Sequence, residues 1–120
     1  MRALPARLEA LQENFGATGG LHAAAIFDRK GELFFLREDV GRHNAIDKVL
    51  GAALRAEHDV YGLGMLVTSR LGFELVQKCW MGGISALVAF GAPTSLAVQT
   101  AREGGLCLVG WLRPGRMVYF

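Results

Sequence analysis

The chain has 120 residues, the length of one domain, and residues 1–120 are read as a single unit. Its 13 basic and 11 acidic side chains leave a net charge of +2, too balanced to argue for a nucleic-acid partner. Apolar residues make up 52% of the chain, yet no apolar run is long enough to cross a bilayer, so no membrane partner is expected.

In chain order, Leu4, Leu8, Leu11 and Phe15 recur at helical spacing, with Pro5 suited to a first turn and Gly16 to a stop. Met1-Arg2-Ala3-Leu4-Pro5 carries a charge but no continuous apolar stretch follows it, which does not fit a signal peptide. Leu21 to Phe27 and Glu32 to Leu36 flank Asp28-Arg29-Lys30-Gly31 and read as a hairpin. From Asn44 onward Ile46, Val49, Leu50, Ala53 and Leu54 mark one helix face, closed by Gly62 and Gly64. Met65 to Thr68 reads as a strand. Phe73 to Met81 reads as a helix with Leu75, Val76, Cys79 and Trp80 apolar, ended by Gly82-Gly83. Ile84 to Phe90 is the next strand, and Pro93-Thr94-Ser95 opens a helix to about Glu103 that Gly104-Gly105 terminates. Leu106 to Leu112 is a further strand, Arg113-Pro114-Gly115-Arg116 a turn, and Met117 to Phe120 a last short strand.

This order of elements predicts an α/β fold, a three-layer α/β/α sandwich with a mixed sheet. The hairpin is antiparallel and the middle strands parallel, because those strands are unbroken apolar runs of the kind covered on both faces. The core is expected to hold Ile26, Ile46, Leu50, Leu66, Val67, Leu75, Leu87, Val88, Leu108 and Val109. An apolar content this high also predicts a face that meets a second copy, a homodimer being the commonest solution. The two cysteines, Cys79 and Cys107, form no C-x-x-C pair, and no Cys/His cluster has zinc spacing. A reduced, cytoplasmic chain with both cysteines as inert packing residues in a helix face and a buried strand is the expectation.

Polar segments interrupt the apolar pattern where strands end or helices begin, the edge at which open α/β sheets collect ligands. In Thr18-Gly19-Gly20-Leu21-His22 the glycines let a ligand approach the backbone, though the same spacing serves a turn with His22 structural. Asp39-Val40-Gly41-Arg42-His43-Asn44 opens a helix with donors at the end that attracts anions, while Asp39 or Asn44 also suits an N-cap. Thr68-Ser69-Arg70-Leu71-Gly72-Phe73-Glu74 again joins a strand to a helix start; Ser69 suits a cap and Glu74 to Lys78 a helical ion pair. Pro93-Thr94-Ser95 suits a cap first and a contact second, and Trp111-Leu112-Arg113-Pro114-Gly115-Arg116 offers two arginines with an aromatic on which a flat ring could stack. Together they suit a ligand with phosphates and a flat heterocycle. His43 is the side chain most expected to face it, followed by His22.

At these segments, and at Phe73-Glu74-Leu75-Val76-Gln77-Lys78 and Arg113 to Tyr119, the sequence resembles the formate dehydrogenase accessory sulfurtransferases, the FdhD family. The resemblance runs in the family's order over nearly the whole chain, with Asp39 to Lys48 its most specific stretch. It implies a cytidine deaminase-like fold, but the zinc signature H-x-E with P-C-x-x-C is absent. It further implies binding of bis-molybdopterin guanine dinucleotide. A persulfide sulfur taken from a cysteine desulfurase is passed to this cofactor, which then enters formate dehydrogenase.

The cofactor-binding residues implied are Thr18, Gly19, Gly20, His22, Asp39, Gly41, Arg42, His43, Asn44, Ser69, Arg70, Pro93, Thr94, Ser95, Trp111, Leu112, Arg113, Pro114, Gly115 and Arg116. Family members carry an N-terminal domain and a C-x-x-C loop ahead of the Thr-Gly-Gly segment, so the chain is expected to correspond to the C-terminal, cofactor-binding part. The family's glycine between Ser69 and Arg70 is missing here. The competing readings are a deaminase-like hydrolase using His22, His43 and Asp39, and a structural dimerisation domain.

Overall fold

The computed structural model describes residues 22–28, 30, 32–113 and 116–120, with the backbone alone at 112, 113, 116 and 117. The helix expected between Leu4 and Phe15 and the Thr18-Gly19-Gly20 segment lie outside these residues. The elements are β1 (His22–Phe27), β2 (Leu33–Asp39), α1 (Arg42–Arg55), β3 (Gly64–Val67), α2 (Phe73–Met81), β4 (Ala86–Ala89), α3 (Ser95–Gly104), β5 (Cys107–Arg113) and β6 (Arg116–Tyr119). They build one six-stranded sheet in the order β2-β1-β3-β4-β5-β6. β1 runs antiparallel to β2 and β3, β3 to β5 are parallel, and β6 returns antiparallel to β5. This is the mixed sheet expected from the sequence. The hairpin turn is held by Asp28, whose Oδ1 accepts from the N–H groups of Lys30 and Glu32 at 2.9 and 3.0 Å.

Alternation along the strands divides the core into two faces. Ala24, Ile26, Met65, Val67, Leu87, Ala89 and Leu108 meet Ile46 and Val49 of α1, Leu75, Val76 and Cys79 of α2, and Ala97 and Ala101 of α3. Phe27, Leu66, Val88, Phe90 and Val109 form the opposite face, buried as well. Burial on both faces explains why β3 and β4 are apolar without a break.

Of the residues expected in the core, Leu50 alone is half-buried, packed on its margin. Leu54 departs further, standing 79% exposed. The helix faces the sheet along Ala45, Val49, Ala52 and Ala53, and Leu54 projects about 140° round the axis from Val49. The expected pair of Glu74 with Lys78 is replaced by pairing across helices. Glu74 lies 3.6 Å from His43 Nε2, and Lys78 Nζ donates to Asp47 Oδ2 at 2.9 Å, both partners being on α1.

The two cysteines differ. Cys79 is buried in α2, where burial pushes its thiol up to about 12. Cys107 is exposed, which corrects the buried-strand expectation. It is the first residue of β5, at the sheet margin where its neighbour Ala86 is also incompletely covered. Iodoacetamide at pH 8 should therefore alkylate Cys107 in the native protein and both cysteines after denaturation. Native labelling of Cys79, read by peptide mass spectrometry, would contradict its burial.

A candidate anion cleft at the strand ends

Because β1 runs against β3 to β5, its first residue shares an edge with their last ones. His22 pairs with Asp39 at the end of β2, next to the start of α1. Thr68, Phe90 and the paired Arg113 and Arg116 backbones follow across the same edge. The topology thus brings the polar segments within the described residues to one side of the sheet.

Hydrogen bonds lock these loops to one another. Thr68 Oγ1 accepts from Ala23 N–H at 2.9 Å, and Thr68 N–H donates to Ala23 O at 3.1 Å. Leu71 N–H donates to Ala92 O at 3.1 Å, Thr94 N–H to Leu71 O at 2.9 Å, and Trp111 N–H to Gly91 O at 3.1 Å. A Cβ on Gly91 would lie 2.9 Å from Arg70 Cα, so the close approach of the two loops requires glycine there. Replacing Thr68 with valine keeps the shape but strands the Ala23 N–H. A loss of about 1–3 kcal/mol in urea unfolding is expected, and an unchanged stability would mean that this bond contributes nothing.

A cleft of about 450 Å³ opens here, lined by His22, Arg42, Thr68, Ser69, Arg70, Phe90 and Gly91. Arg42 enters it as the first residue of α1, whose N-cap is Gly41. Among the described residues no side chain caps that helix, so neither Asp39 nor Asn44 plays the expected capping part. α2 likewise begins after Gly72 without a side-chain cap, which corrects the capping expectation for Ser69. Only Thr94 caps as expected, its Oγ1 accepting from Ala97 N–H at 3.1 Å. Two helix starts at this edge therefore lack side-chain caps, an arrangement that favours anions. Ser69 is 5% exposed, and its Oγ is buried without a hydrogen-bond partner among the described residues.

Other expected site residues are engaged elsewhere. His43, expected to face the ligand, directs Nε2 to Glu74 instead and is not among the cleft's lining residues. Asn44 Nδ2 donates to Asp39 Oδ1 at 3.3 Å. Asp39 also accepts from Gly41 N–H at 2.9 Å and pairs with Lys48 at 2.7 Å. Lys48 above all, then the Gly41 N–H, holds its carboxyl down at about 2. Its stabilising contribution is therefore complete above the ordinary carboxylate value of 3.8 and is lost as pH falls through about 2. A carboxyl titration by NMR should place the Asp39 midpoint near 2; a midpoint near 4 would show that the Lys48 pair does not persist in solution.

Pro93 makes a parallel bridge with Leu71, Ser95 starts α3 in an exposed position, and Trp111 is 48% exposed with a φ of 54°. Leu112, Arg113 and Arg116 are placed by backbone at the same edge, and Pro114 and Gly115 lie outside the described residues. Phe90 and Gly91 line the cleft without having been singled out; their place at a strand end before Ala92-Pro93 was the available signal. A separate hollow of about 230 Å³, lined by residues including Tyr61, Trp80 and Ser85, sits near the starts of β4 and β5.

Comparison with known proteins places this geometry in context. The family model for FdhD/NarQ matches residues 1–120. The sulfur carrier protein FdhD of Streptomyces avermitilis is 52% identical over 118 residues, covering 98% of this chain and 42% of the relative. That of Sulfurisphaera tokodaii is 49% identical over 112 residues, covering 92% of this chain and 44% of the relative. The chain thus spans less than half the length of these curated relatives. A candidate formate dehydrogenase accessory protein from Desulfotalea psychrophila has a similar structure, with a TM-score of 0.76 and 35% identity over 84% of this chain and 45% of that one. The guanine deaminase of Nitrosomonas europaea, at a TM-score of 0.68 and 16% identity, covers 94% of this chain and 78% of that one and shares the fold alone. The architecture is thus cytidine deaminase-like, and the chain belongs to the FdhD/NarQ family.

Proposed function

We propose that this chain is the cofactor-binding part of a sulfur carrier that serves formate dehydrogenase. The observation that carries the reading is the convergence of Arg42 and Arg70 on one cleft beside the start of α1, which no side chain caps. Guanidinium forks and helix N–H groups are the donors a diphosphate needs. At about 450 Å³ the cleft suits the nucleotide portion of bis-molybdopterin guanine dinucleotide rather than the whole cofactor. In this reading Arg42, Arg70 and the α1 N-terminus hold the phosphates, and His22 approaches the base. When bound, the cofactor supplies the molybdenum centre that receives the sulfur.

The names of the relatives support the sulfur-carrier role. The sulfur arrives as a persulfide from a cysteine desulfurase on the family's C-x-x-C pair, and the loaded cofactor goes to formate dehydrogenase. Cys79 is buried and Cys107 has no second cysteine in C-x-x-C spacing, so neither is assigned the sulfur. The carrier works as a homodimer in the cytoplasm. Calorimetric titration of the chain with guanosine diphosphate tests the binding role. Binding that weakens as salt is raised is expected; no binding of any guanine nucleotide would overturn it.

A further inference from the structure

At the sheet edge opposite the cleft, the hollow of about 230 Å³ near the starts of β4 and β5 is lined by two aromatic side chains. Tyr61 is 80% exposed and Trp80 54% exposed. Exposed Tyr and Trp in one hollow are the composition of a contact site rather than of free surface. Trp80 Nε1 donates to Gly104 O at 3.0 Å, which fixes the indole against the end of α3, and a Cβ on Gly104 would come within 3.0 Å of the ring. Tyr61 lies against Gly83, where a Cβ would be 3.6 Å from its Cδ2. Tyr61 N–H donates to Asp59 Oδ1 at 2.9 Å, which sets an exposed carboxylate beside the Tyr61 backbone. α2 ends at Met81 and α3 at Gly104, so the negative ends of two helices meet at this hollow. Its described lining residues carry no charge, and the basic residues in the two last turns, Lys78 and Arg102, are not among them, Lys78 being held by Asp47. The polarity is the reverse of the cleft's, where a helix start and arginines attract anions.

We propose that this hollow is a docking site for an arginine side chain presented by a partner protein. Its volume is below the roughly 300–1,000 Å³ of pockets for cofactors and other small molecules, and suits one long side chain. A guanidinium is attracted by the faces of aromatic rings such as those of Trp80 and Tyr61, and it is weakly hydrated, so bringing it against them costs less than for an ammonium. Its several N–H donors suit the Asp59 carboxylate and the carbonyl oxygens at the helix ends. The helix termini and Asp59 supply a charge complementarity that a neutral or acidic side chain would not meet. The assignment is independent of the nucleotide reading. Because the hollow and the cleft lie at opposite edges of the sheet, a partner docked at one leaves the other open.

The test titrates the isotope-labelled 120-residue chain, followed by amide NMR, with short glycine peptides that differ only in a central arginine, lysine or citrulline. The arginine peptide should shift the Trp80 indole N–H and the amides of Gly83 and Gly105 in a saturable manner. The citrulline peptide keeps the shape and removes the charge, and should bind roughly tenfold more weakly. The lysine peptide should fall between them. Tyr61→Ala removes a largely exposed ring, so it should leave the melting temperature unchanged while weakening the arginine peptide by about threefold to tenfold. Asp59→Asn keeps an acceptor for the Tyr61 N–H and should also weaken it. A citrulline peptide that binds as tightly as the arginine peptide overturns the cation site, and a lysine peptide that binds more tightly overturns the choice of guanidinium. Hollow signals that shift with protein concentration in the absence of peptide make a second copy the occupant and overturn docking of a partner. An arginine peptide that shifts none of these signals overturns the proposal, as does a Tyr61→Ala variant that binds it like the parent.

Discussion

Arg42→Ala should weaken binding of guanosine diphosphate by about 1.5–3 kcal/mol, the range for a lost hydrogen bond to a charged group. Arg42 occupies the first position of α1 and lines the cleft, so its guanidinium adds to the field of the helix terminus rather than acting alone. Thermal stability should be nearly unchanged, because the side chain is incompletely buried and Val49 and Ile46 anchor the helix independently. Arg42→Lys should recover part of the affinity, since it restores the charge but not the two-pronged donor. His43→Ala serves as a comparison: its ring nitrogen faces Glu74, so its removal should affect nucleotide binding less. If His43→Ala abolished binding and Arg42→Ala did not, the ligand would lie on the other side of the α1 start, against α2.

The difference between Arg42 and His43 marks the limit of what the sequence discloses. Periodicity located α1, and the glycine before it located the helix start, but adjacent residues point about 100° apart on a helix. Which of them enters the cleft depends on how α1 lies against α2, a relation to which the Asp47 pair with Lys78 contributes, both helices sharing one core cluster. The same helix pairing turned Glu74 and Lys78 away from each other, although their spacing suits a pair within one helix.

The strands β3 and β4 were legible because burial on both faces leaves an unbroken apolar run. β2 was legible only as far as Leu36, yet it continues to Asp39. Its last residues are polar, and they remain in the ladder because Arg37, Glu38 and Asp39 pair with Ala24, Ala23 and His22. A φ of 55° at Phe35, beside a register shift in that ladder, breaks the alternation on which the reading depended. The capping errors share a cause: Asp39 and Ser69 have the right chemistry for N-caps, but glycines at 41 and 72 occupy the cap positions. Helix ends left without side-chain caps are invisible to a pattern that looks for caps, and they are the feature that makes this edge suitable for an anion.

Leu71→Ala should produce the largest loss of stability, about 2–5 kcal/mol, as expected for emptying a fully buried leucine site. Leu71 is 0% exposed and belongs to the cluster that joins the sheet to the three helices. It also carries backbone bonds that few core residues have: its N–H reaches Ala92 O, its carbonyl accepts from Thr94 N–H, and it bridges Pro93. The backbone bonds therefore pin the loop after β3 to the loop after β4, with Ser69 and Arg70 just ahead of Leu71, and the buried side chain anchors that junction in the core. Emptying the site should loosen both loops and weaken guanosine diphosphate binding even under conditions where the variant remains folded.

Leu87→Ala is the matching control. Leu87 is equally buried, but it lies inside β4 between Met65 and Leu108, away from the cleft. Both variants should lower the urea midpoint without changing the denaturant slope, but only Leu71→Ala should lower affinity at a temperature where each is fully folded. A loss below about 1 kcal/mol for Leu71→Ala would mean that the core closes over the gap. Equal loss of binding in the two variants would mean that the cleft responds to global stability and not to the tie between the two loops.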